Sequence, residues 1–291
     1  MIFHLKSFLI GALIVSQLLH DNLKADSNWP SWRGSTGNGT APDTSNPPKE
    51  WSEEKNILWK TKLEGLGHST PVIWEDKIFL TSAVPFGKKT IPPVPDNAPG
   101  SHDNLPVSQS HQFHVICIDK KSGKIIWKTK CHETFPHEGG HKSGSLASAS
   151  PVTDGKHLFA YFGSHGLFSI DCSTGKIIWK RDFGTMATKH GHGEGSSPAL
   201  KGNTLIINWD HEKQSAIYAL NKLTGENLWK VERKEVTSWS SPLIVEVDNT
   251  NQVIISATDR IRGYDLNDGR IIWECSGMSN NVVASPVSEN G

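Results

Sequence analysis

Short apolar runs separated by polar turns make up the chain beyond its first 25 residues. The runs are rich in β-branched residues and are ended by Gly, Asp, Asn or Pro, whereas a helical period of apolar positions is hard to find there. Runs of this kind are typical of strands. The pattern therefore predicts an all-β protein.

One unit of this pattern occurs four times with the same spacing. In each copy Asp or Asn stands four residues before Gly, and Gly stands four before Trp. The copies are Asp119, Gly123 and Trp127; Asp171, Gly175 and Trp179; Asn221, Gly225 and Trp229; and Asp265, Gly269 and Trp273. The Trp residues lie 52, 50 and 44 residues apart. A repeat of roughly 40–50 residues predicts a β-propeller of four-stranded antiparallel blades.

The spacing within each copy predicts a hairpin. Asp or Asn ends one strand and bonds the turn backbone, and Gly takes the positive φ that such a loop needs. The next strand is expected to end at Trp, which packs against the neighbouring repeat and buries a large surface there. Four unrelated hairpins are the alternative, and the identical spacing disfavours it.

Each repeat also begins in the same way, with small or hydroxyl residues before a Pro. These prolines are Pro71, Pro151, Pro198, Pro242 and Pro286. Pro is tolerated at the first position of a strand, and small residues suit a crowded central axis. Each blade then runs from strand A at the Pro, through strand B (77–82 or 204–208) and strand C ending at Asp or Asn, to strand D.

These signals divide the chain into segments. We expect an irregular segment at 26–55 and a propeller over 56–291. Within the propeller we expect a closing strand at 56–63 that carries Trp59, blades at about 68–130, 148–180, 195–230 and 239–274, and the start of a fifth at 283. Because the pattern stops inside a unit, we expect a C-terminally truncated part of a ring.

The first 25 residues have a different pattern. Lys6 precedes an apolar run from Phe8 to Leu19, and Ala25 offers a small residue for cleavage. This arrangement predicts a secretory signal peptide, and the run is short for a membrane span. An uncleaved N-terminal anchor is the alternative. We expect a periplasmic or secreted protein with no membrane span after removal of the signal.

Composition excludes some function classes. Thirty basic residues balance thirty acidic ones, which argues against a nucleic-acid partner. Nucleophile-elbow, phosphate-loop and HExxH motifs are absent from the sequence. The four cysteines, at 117, 131, 172 and 275, allow three disulfide connectivities in an oxidising compartment, or remain buried free thiols.

Strand order predicts which loops share a face. If strand A runs along the axis, the B–C and D–A loops lie on one face, called here the loop face, and the A–B and C–D turns lie on the other. Eleven of the twelve histidines after the signal then fall on, or enter, the loop face: His68, His102, His111, His114, His132, His137, His141, His165, His190, His192 and His211. Only His157 falls in an A–B turn.

Candidate site residues come from this face. His190, His192 and Glu194 alternate, so an extended segment would point all three at one metal ion; a solvated Gly-rich loop is the alternative. Asp210, His211 and Glu212 form a B–C loop at the same mouth, with hydrogen bonding or ligand binding as roles. Trp239 is expected to floor a pocket or to fill the axis. Asn281, on the last D–A connection, completes the ligand-binding candidates.

Residues Ala219 to Trp229 resemble the tryptophan-docking repeat of quinoprotein alcohol dehydrogenases, which form eight-bladed propellers. The same repeat occurs in the bacterial outer-membrane-protein assembly propeller, a non-catalytic scaffold. Residues 29–34, 193–198 and 208–212 are similar to exported PQQ-like repeat proteins of planctomycetes. The resemblance implies a PQQ-like propeller, here part of an eight-bladed ring, and possession of the docking Trp does not decide function.

The chain departs from the enzymes of this family. Their adjacent cysteine pair is absent, and their calcium ligands and catalytic Asp match no position; the lipid-anchor Cys of the assembly scaffold is absent as well. Two functions therefore remain open, and other metal-dependent chemistry is a third, less favoured alternative. The first is a non-catalytic domain that binds a protein, glycan or small molecule through its loop face. The second is an oxidoreductase that uses pyrroloquinoline quinone (PQQ) with calcium or another metal.

Overall fold

The computed structural model describes residues 28–43, 45–90 and 103–289. The predicted signal peptide and His102 lie outside the described residues. Within the described part, no helix is long and apolar enough to cross a membrane.

Strands dominate the described residues. In chain order they are β1 (Val72–Trp74), β2 (Lys77–Phe86), β3 (Asn104–Leu105), β4 (Ser110–Asp119), β5 (Ile125–Thr134), β6 (Gly140–His141), β7 (Val152–Thr153), β8 (His157–Tyr161), β9 (Leu167–Asp171), β10 (Ile177–Arg181), β11 (Ala199–Lys201), β12 (Thr204–Trp209), β13 (Ser215–Asn221), β14 (Asn227–Arg233), β15 (Leu243–Val247), β16 (Thr250–Ala257), β17 (Arg260–Asp265) and β18 (Ile271–Ser276). Two 3₁₀ turns lie at Gly163–His165 and Lys189–Gly191.

Four antiparallel sheets of four strands each form the blades. Their orders are β1-β2-β4-β5 in blade 1, β7-β8-β9-β10 in blade 2, β11-β12-β13-β14 in blade 3 and β15-β16-β17-β18 in blade 4. A small pair, β3 and β6, lies in the loops of blade 1. Consecutive pairing of antiparallel strands in every blade confirms the predicted propeller class.

The Trp of each repeat is the third residue of its D strand, so the prediction that strand D ends at Trp was wrong. The strand continues for between two residues (β10) and seven (β5). In every blade the C–D register shifts by one residue immediately before the Trp, which is a β-bulge. A bulge re-aims the side chains around it, and in blades 1 to 3 the indole that follows it turns towards the next blade.

Each of four indoles covers a Gly of the next blade. A Cβ added at Gly123, Gly175, Gly225 or Gly269 would lie 2.5, 2.7, 2.8 or 2.7 Å from the ring of Trp59, Trp127, Trp179 or Trp229, respectively. The same rings donate from Nε1 to the carbonyls of Lys120, Cys172, Lys222 and Leu266 at 3.0, 3.2, 3.0 and 2.9 Å. Trp273 instead donates to Gln252 of its own blade at 2.7 Å.

Residues 57–63 form no strand in the described structure, in contrast to the closing strand expected at 56–63. Trp59 nevertheless packs on Gly123 of blade 1 as the later indoles pack on theirs, and Leu58 is 90% exposed on the open side.

Three apolar clusters fill the spaces between successive blades. Phe79, Phe113 and Val115 of blade 1 pack against Leu158 and Ile170 of blade 2. The next cluster joins blades 2 and 3, and the last joins blades 3 and 4. Alternate residues of one strand enter different clusters, because successive side chains of a strand point to opposite faces of the sheet. Both faces of each inner blade are therefore buried.

A line of hydrogen bonds runs from blade to blade at the repeat starts. The backbone amide of Thr70 donates to Ser150 Oγ at 2.8 Å, Ser150 to Ser197, Ser197 to Ser241 and Ser241 to Ser285, each of the last three at 2.9 Å. Small size alone, the reason given by the sequence, does not account for serine at these positions. The hydroxyl satisfies a backbone donor of the preceding blade, which would otherwise be buried and unpaired.

The segment before blade 1 packs against the innermost strands. Trp29 pairs with Ile73 of β1 through two backbone hydrogen bonds of 2.9 and 2.8 Å, and the Pro30 carbonyl accepts from Thr153 of β7 at 2.9 Å. Asn38 then binds the backbone of Ser288 through both ends of its amide. The segment therefore joins the first blade to the last described residues.

The cysteines form no disulfide. All four are free thiols, with Cys117 and Cys172 buried and Cys275 exposed. Burial raises the pKa of Cys117 to about 12, so this thiol is protonated and behaves as a small apolar side chain.

Candidate functional site

A pocket opens on the loop face where the B–C and D–A loops of neighbouring blades meet. Its walls come from the connections after β5, β10 and β14 and from the turn after β8, and its floor from the ends of β8 and β12. The polar and aromatic residues that line it are His137, Glu138, Ser148, Tyr161, Phe162, His165, Thr188, Glu194, Ser196, Asn208, Asp210, Thr237, Ser238 and Trp239. This is the mouth pocket.

Three carboxylates on this face are held in the same way. Glu138 accepts from the amide and hydroxyl of Thr188, at 3.1 and 2.7 Å. Glu212 accepts from the amide and hydroxyl of Thr237, at 3.2 and 2.7 Å. Glu194 accepts from the amide of Ser164 at 2.6 Å and also from its hydroxyl. Each clamp joins two loops, so the pocket wall is fixed before any ligand arrives.

Glu194 lies in the tightest of these clamps. Gly163 beside it has φ +56°, and a Cβ there would collide with the Glu194 carboxylate. Burial raises the pKa of Glu194 to about 7, against the opposing hydrogen bonds from Ser164. The carboxyl therefore changes charge near neutral pH.

The structure does not bring His190, His192 and Glu194 to one point, as the metal hypothesis required. Lys189–Gly191 forms a 3₁₀ turn in which His190 has φ +55°, so the segment is not extended. His192 packs near the rings of His141 and Trp239, at centroid distances of 5.3 and 6.3 Å, while Glu194 turns inwards to Ser164. Among the described residues no three His, Cys, Asp or Glu side chains are placed to hold a metal ion.

Asp210 forms a buried ion pair. Its carboxylate is bound by both Nε and Nη2 of Arg233, which also donates to Asn208 at 2.9 Å and Tyr264 at 3.3 Å. Burial acts to lower the pKa of Arg233, but the Asp210 carboxylate outweighs it and raises that pKa further. Two charges are therefore neutralised at the floor of the pocket, and neither is available to a ligand.

His211 links the neighbouring loops as a neutral ring. Its Nδ1 accepts from the amide of Ala187 at 3.2 Å, and its Nε2 donates to the carbonyl of Gln214 at 3.1 Å. Burial lowers the pKa of His211, in agreement with an imidazole that needs one acceptor nitrogen. Of the two roles the sequence offered, hydrogen bonding describes its contacts.

Trp239 and Asn281 occupy different positions relative to the pocket. The Trp239 indole lines the mouth, and its Nε1 donates to the Gly193 carbonyl at 2.7 Å. Asn281 does not line the mouth; its amide donates to the Thr237 carbonyl at 3.2 Å and supports the loop behind it.

Sequence reasoning missed Tyr161, which lines the pocket. It is 2% exposed, and its hydroxyl has no hydrogen-bond partner among the described residues. Burial, and then the charge of Glu194, raise its pKa well above the usual value. Nothing in the apolar run at 158–162 marks Tyr161 as a site residue. Only its position at the loop end of strand B, which places its hydroxyl near the mouth, could have indicated it.

A stack of imidazoles at the same wall was also missed. The His165 ring lies 4.4 Å from Phe113, 5.9 Å from His137 and 6.2 Å from His132, measured between centroids. Burial, reinforced by the neighbouring imidazoles, lowers the pKa of His165 to about 3. The ring is therefore neutral at physiological pH and acts as an aromatic wall.

Comparison with known proteins places the chain among propellers. The family model described as outer membrane protein assembly factor BamB matches residues 111–289, more than half of the chain. Tetrathionate hydrolase of Acidithiobacillus ferrooxidans is 21% identical over 236 residues, which are 75% of this chain and 42% of that protein.

Solved structures give the same fold. Quinohemoprotein alcohol dehydrogenase ADHIIG from Pseudomonas putida superposes with a TM-score of 0.52 and 12% identity, over 87% of this chain and 40% of that one. The quinohemoprotein alcohol dehydrogenase of Comamonas testosteroni gives 0.53 and 11%, over 89% and 42%. This chain thus spans about two fifths of the length of each, and at these identities the likeness concerns the fold alone.

Proposed function

The chain belongs to the PQQ-like propeller family that includes the outer-membrane assembly factor BamB, and on that premise we propose that it is an exported binding protein without catalytic activity. The mouth pocket on its loop face is the binding site. One observation supports this most: Glu138 and Glu194 are already clamped by protein donors, whereas the buried Tyr161 hydroxyl has no partner within residues 28–43, 45–90 and 103–289. A buried hydroxyl without a partner is costly, and a ligand group in the pocket relieves that cost.

Binding rather than chemistry fits the contacts of three titratable groups at the site. Asp210 is neutralised by Arg233, both nitrogens of His211 are engaged, and His137 donates to the Met186 carbonyl at 2.8 Å. A general base must reach a substrate proton, and these groups are committed to the protein.

A ligand screen tests this function. A library of cationic, neutral and anionic small molecules, short peptides and glycans is added to the purified chain, and the unfolding temperature is followed. We expect one class to raise the unfolding temperature of the wild type, and the shift to shrink in Tyr161→Phe. The control is Tyr218→Phe, whose ring packs on Phe183 away from the pocket. A wild-type response that both variants keep unchanged would contradict the site.

The alternative is a quinoprotein oxidoreductase, which the structural neighbours suggest by their names. PQQ carries three carboxylates and would supply two-electron oxidation when bound. Its carboxylates need cationic or amide partners, yet the described lining of the mouth contains no Lys or Arg, and Arg233 beneath it is paired with Asp210. The residues present do not fit this cofactor, and we derive no reaction step through it.

Reconstitution distinguishes the two functions. The chain is incubated with PQQ and calcium, and dye-linked oxidation of alcohols is measured. The binding function predicts no dye reduction above the protein-free control. Turnover that Glu194→Gln abolishes would instead establish the oxidoreductase.

A further inference from the structure

The mouth pocket is lined by carboxylates, whereas the anionic cofactor PQQ would require a cationic lining. Glu138 and Glu194 line it, and the hydrogen bonds that hold them come from uncharged Thr188 and Ser164. No Lys or Arg stands among its described lining residues, and Arg233 beneath the pocket is paired with Asp210. Two carboxylates without a cationic partner leave a net negative site.

Aromatic rings surround these carboxylates. Trp239, Tyr161 and Phe162 line the pocket, together with the rings of His137 and His165. The Trp239 ring is fixed by its bond to the Gly193 carbonyl. Aromatic faces attract cations that have shed part of their water. A carboxylate beside the rings adds its own Coulomb attraction to the same cation.

From this combination we infer that the mouth pocket binds an organic ammonium cation, and not the anionic quinone of its relatives. The Tyr161 hydroxyl is buried at this pocket and has no hydrogen-bond partner in the described part of the chain, which is an independent sign of a ligand group here. The inference rests on the proposed binding function and names the class of ligand for the same site.

A metal ion fits these side chains less well. The two pairs of clamped carboxylate oxygens belong to different loops, and no third ligand of the metal-binding types stands with them among the described residues. A bulky ammonium group needs no such close, directed ligand set, and it gains from the aromatic faces that a hydrated metal ion does not use.

Binding of a cation is coupled to the proton on Glu194. This carboxyl faces His137 on the loop after β5, Glu138 on the same loop and Tyr161 at the end of β8. Burial holds the pKa of Glu194 at about 7, and a bound cation lowers it. We therefore expect a proton to be released on binding, and affinity to rise with pH through neutrality and to level off above it.

Calorimetry with a matched pair of probes tests the inference. Choline and its uncharged carbon isostere, dimethylbutanol, are titrated into the purified chain at pH 8, with PQQ, tetrathionate and calcium chloride as further arms. We expect choline to bind with a Kd of about 1 mM or tighter and at least about tenfold more tightly than the isostere. Glu194→Gln and Trp239→Leu should each remove most of that preference. Glu246→Gln, at an exposed carboxylate on β15, should leave it unchanged.

The other outcomes bear separately on the inferred cation and on the proposed binding function. Equal binding of choline and dimethylbutanol, or binding of PQQ or tetrathionate alone, contradicts the cation while the binding function stands. Calcium that binds with the same dependence on Glu194 makes the site a metal site. Choline binding accompanied by dye-linked turnover keeps the cation and contradicts the absence of catalysis. Failure of every probe to bind removes the cation inference.

Discussion

Single side chains on the loop face are fixed by contacts between loops. For Glu194 these contacts are too weak to keep the carboxyl fully charged. The carboxyl is buried beside Glu138, and it accepts hydrogen bonds only from the uncharged Ser164. Burial disfavours the charged form of a carboxyl more strongly than two hydrogen bonds favour it. The site therefore holds a group whose charge depends on pH near neutrality.

This charge has a consequence for stability. The folded carboxyl keeps its proton up to about pH 7, whereas the unfolded one loses it near 4.5. Between these values the folded state binds more protons, so stability falls as pH rises across that window. Glu194→Gln should match the wild type near pH 4 and exceed its free energy of unfolding by about 3 kcal/mol near pH 8.

Urea unfolding at the two pH values measures this difference. The same substitution at exposed Glu246 is expected to change stability by less than about 0.5 kcal/mol at either pH. An advantage of Glu194→Gln that is equal at both pH values would show that the gain comes from packing and not from ionisation.

Strands and turns carry the contact between blades. The bulges before Trp127, Trp179 and Trp229 lie where each indole turns to the next blade, and the C–D turn of that blade presents a Gly backbone to it. Gly225 illustrates both demands on this position. Its φ is +74°, and its missing Cβ leaves the space that the Trp179 ring occupies.

Two alanine substitutions separate these demands. Gly202 also has positive φ, +58°, but nothing lies within 4 Å of the position of its Cβ. Gly202→Ala should therefore cost only the backbone strain, about 1–2 kcal/mol. Gly225→Ala should cost about 1–3 kcal/mol more, because its methyl group meets the indole. The difference is measured by chemical denaturation, and equal losses would mean that the indole moves away without penalty.

The sequence predicts the repeated elements well because their signals are local. Asp or Asn at the end of strand C, Gly in the turn and Pro at the start of strand A each act through the nearby backbone. Fourfold repetition then makes the period visible. The end of strand D was misjudged because Trp127 was taken as a boundary, whereas the strand runs on to Thr134.

The candidate site could be predicted only as a region. The loops that form the mouth follow from strand order, but the contacts inside it join residues 25–50 positions apart, such as Glu212 with Thr237 and Glu138 with Thr188. No local pattern encodes such pairs. Alternation at 190–194 suggested a metal site because it assumed an extended backbone, and a 3₁₀ turn replaces it.

The described chain as a whole is an arc of four blades with its two ends tied together. The segment from Asn28 to Asn38 packs on the innermost strands, and Arg33 donates to the carbonyls of Ser285 and Pro286 at 3.4 and 3.3 Å. These contacts join residues about 250 positions apart, as the bonds between Asn38 and Ser288 also do. They limit how far the arc can open.

Asn38→Ala removes two of these bonds. We expect the amide of Ser288 to exchange about tenfold faster with solvent deuterium, because it loses the Asn38 Oδ1 acceptor at 3.1 Å. Asn46→Ala, a matched change at an exposed position beyond this segment, should leave that amide unchanged. Hydrogen exchange followed by mass spectrometry compares them, and unaltered protection in Asn38→Ala would show that the tie does not hold the arc.

The serine line at the repeat starts has an evolutionary consequence. Each serine gives its amide to the following unit and offers its hydroxyl to the preceding one, as Ser197 does between Ser150 and Ser241. The coupling is directional and the same at every joint, so a unit copied by gene duplication arrives with both halves of its connection. A propeller built in this way can gain or lose a whole blade without needing a new set of contacts between blades.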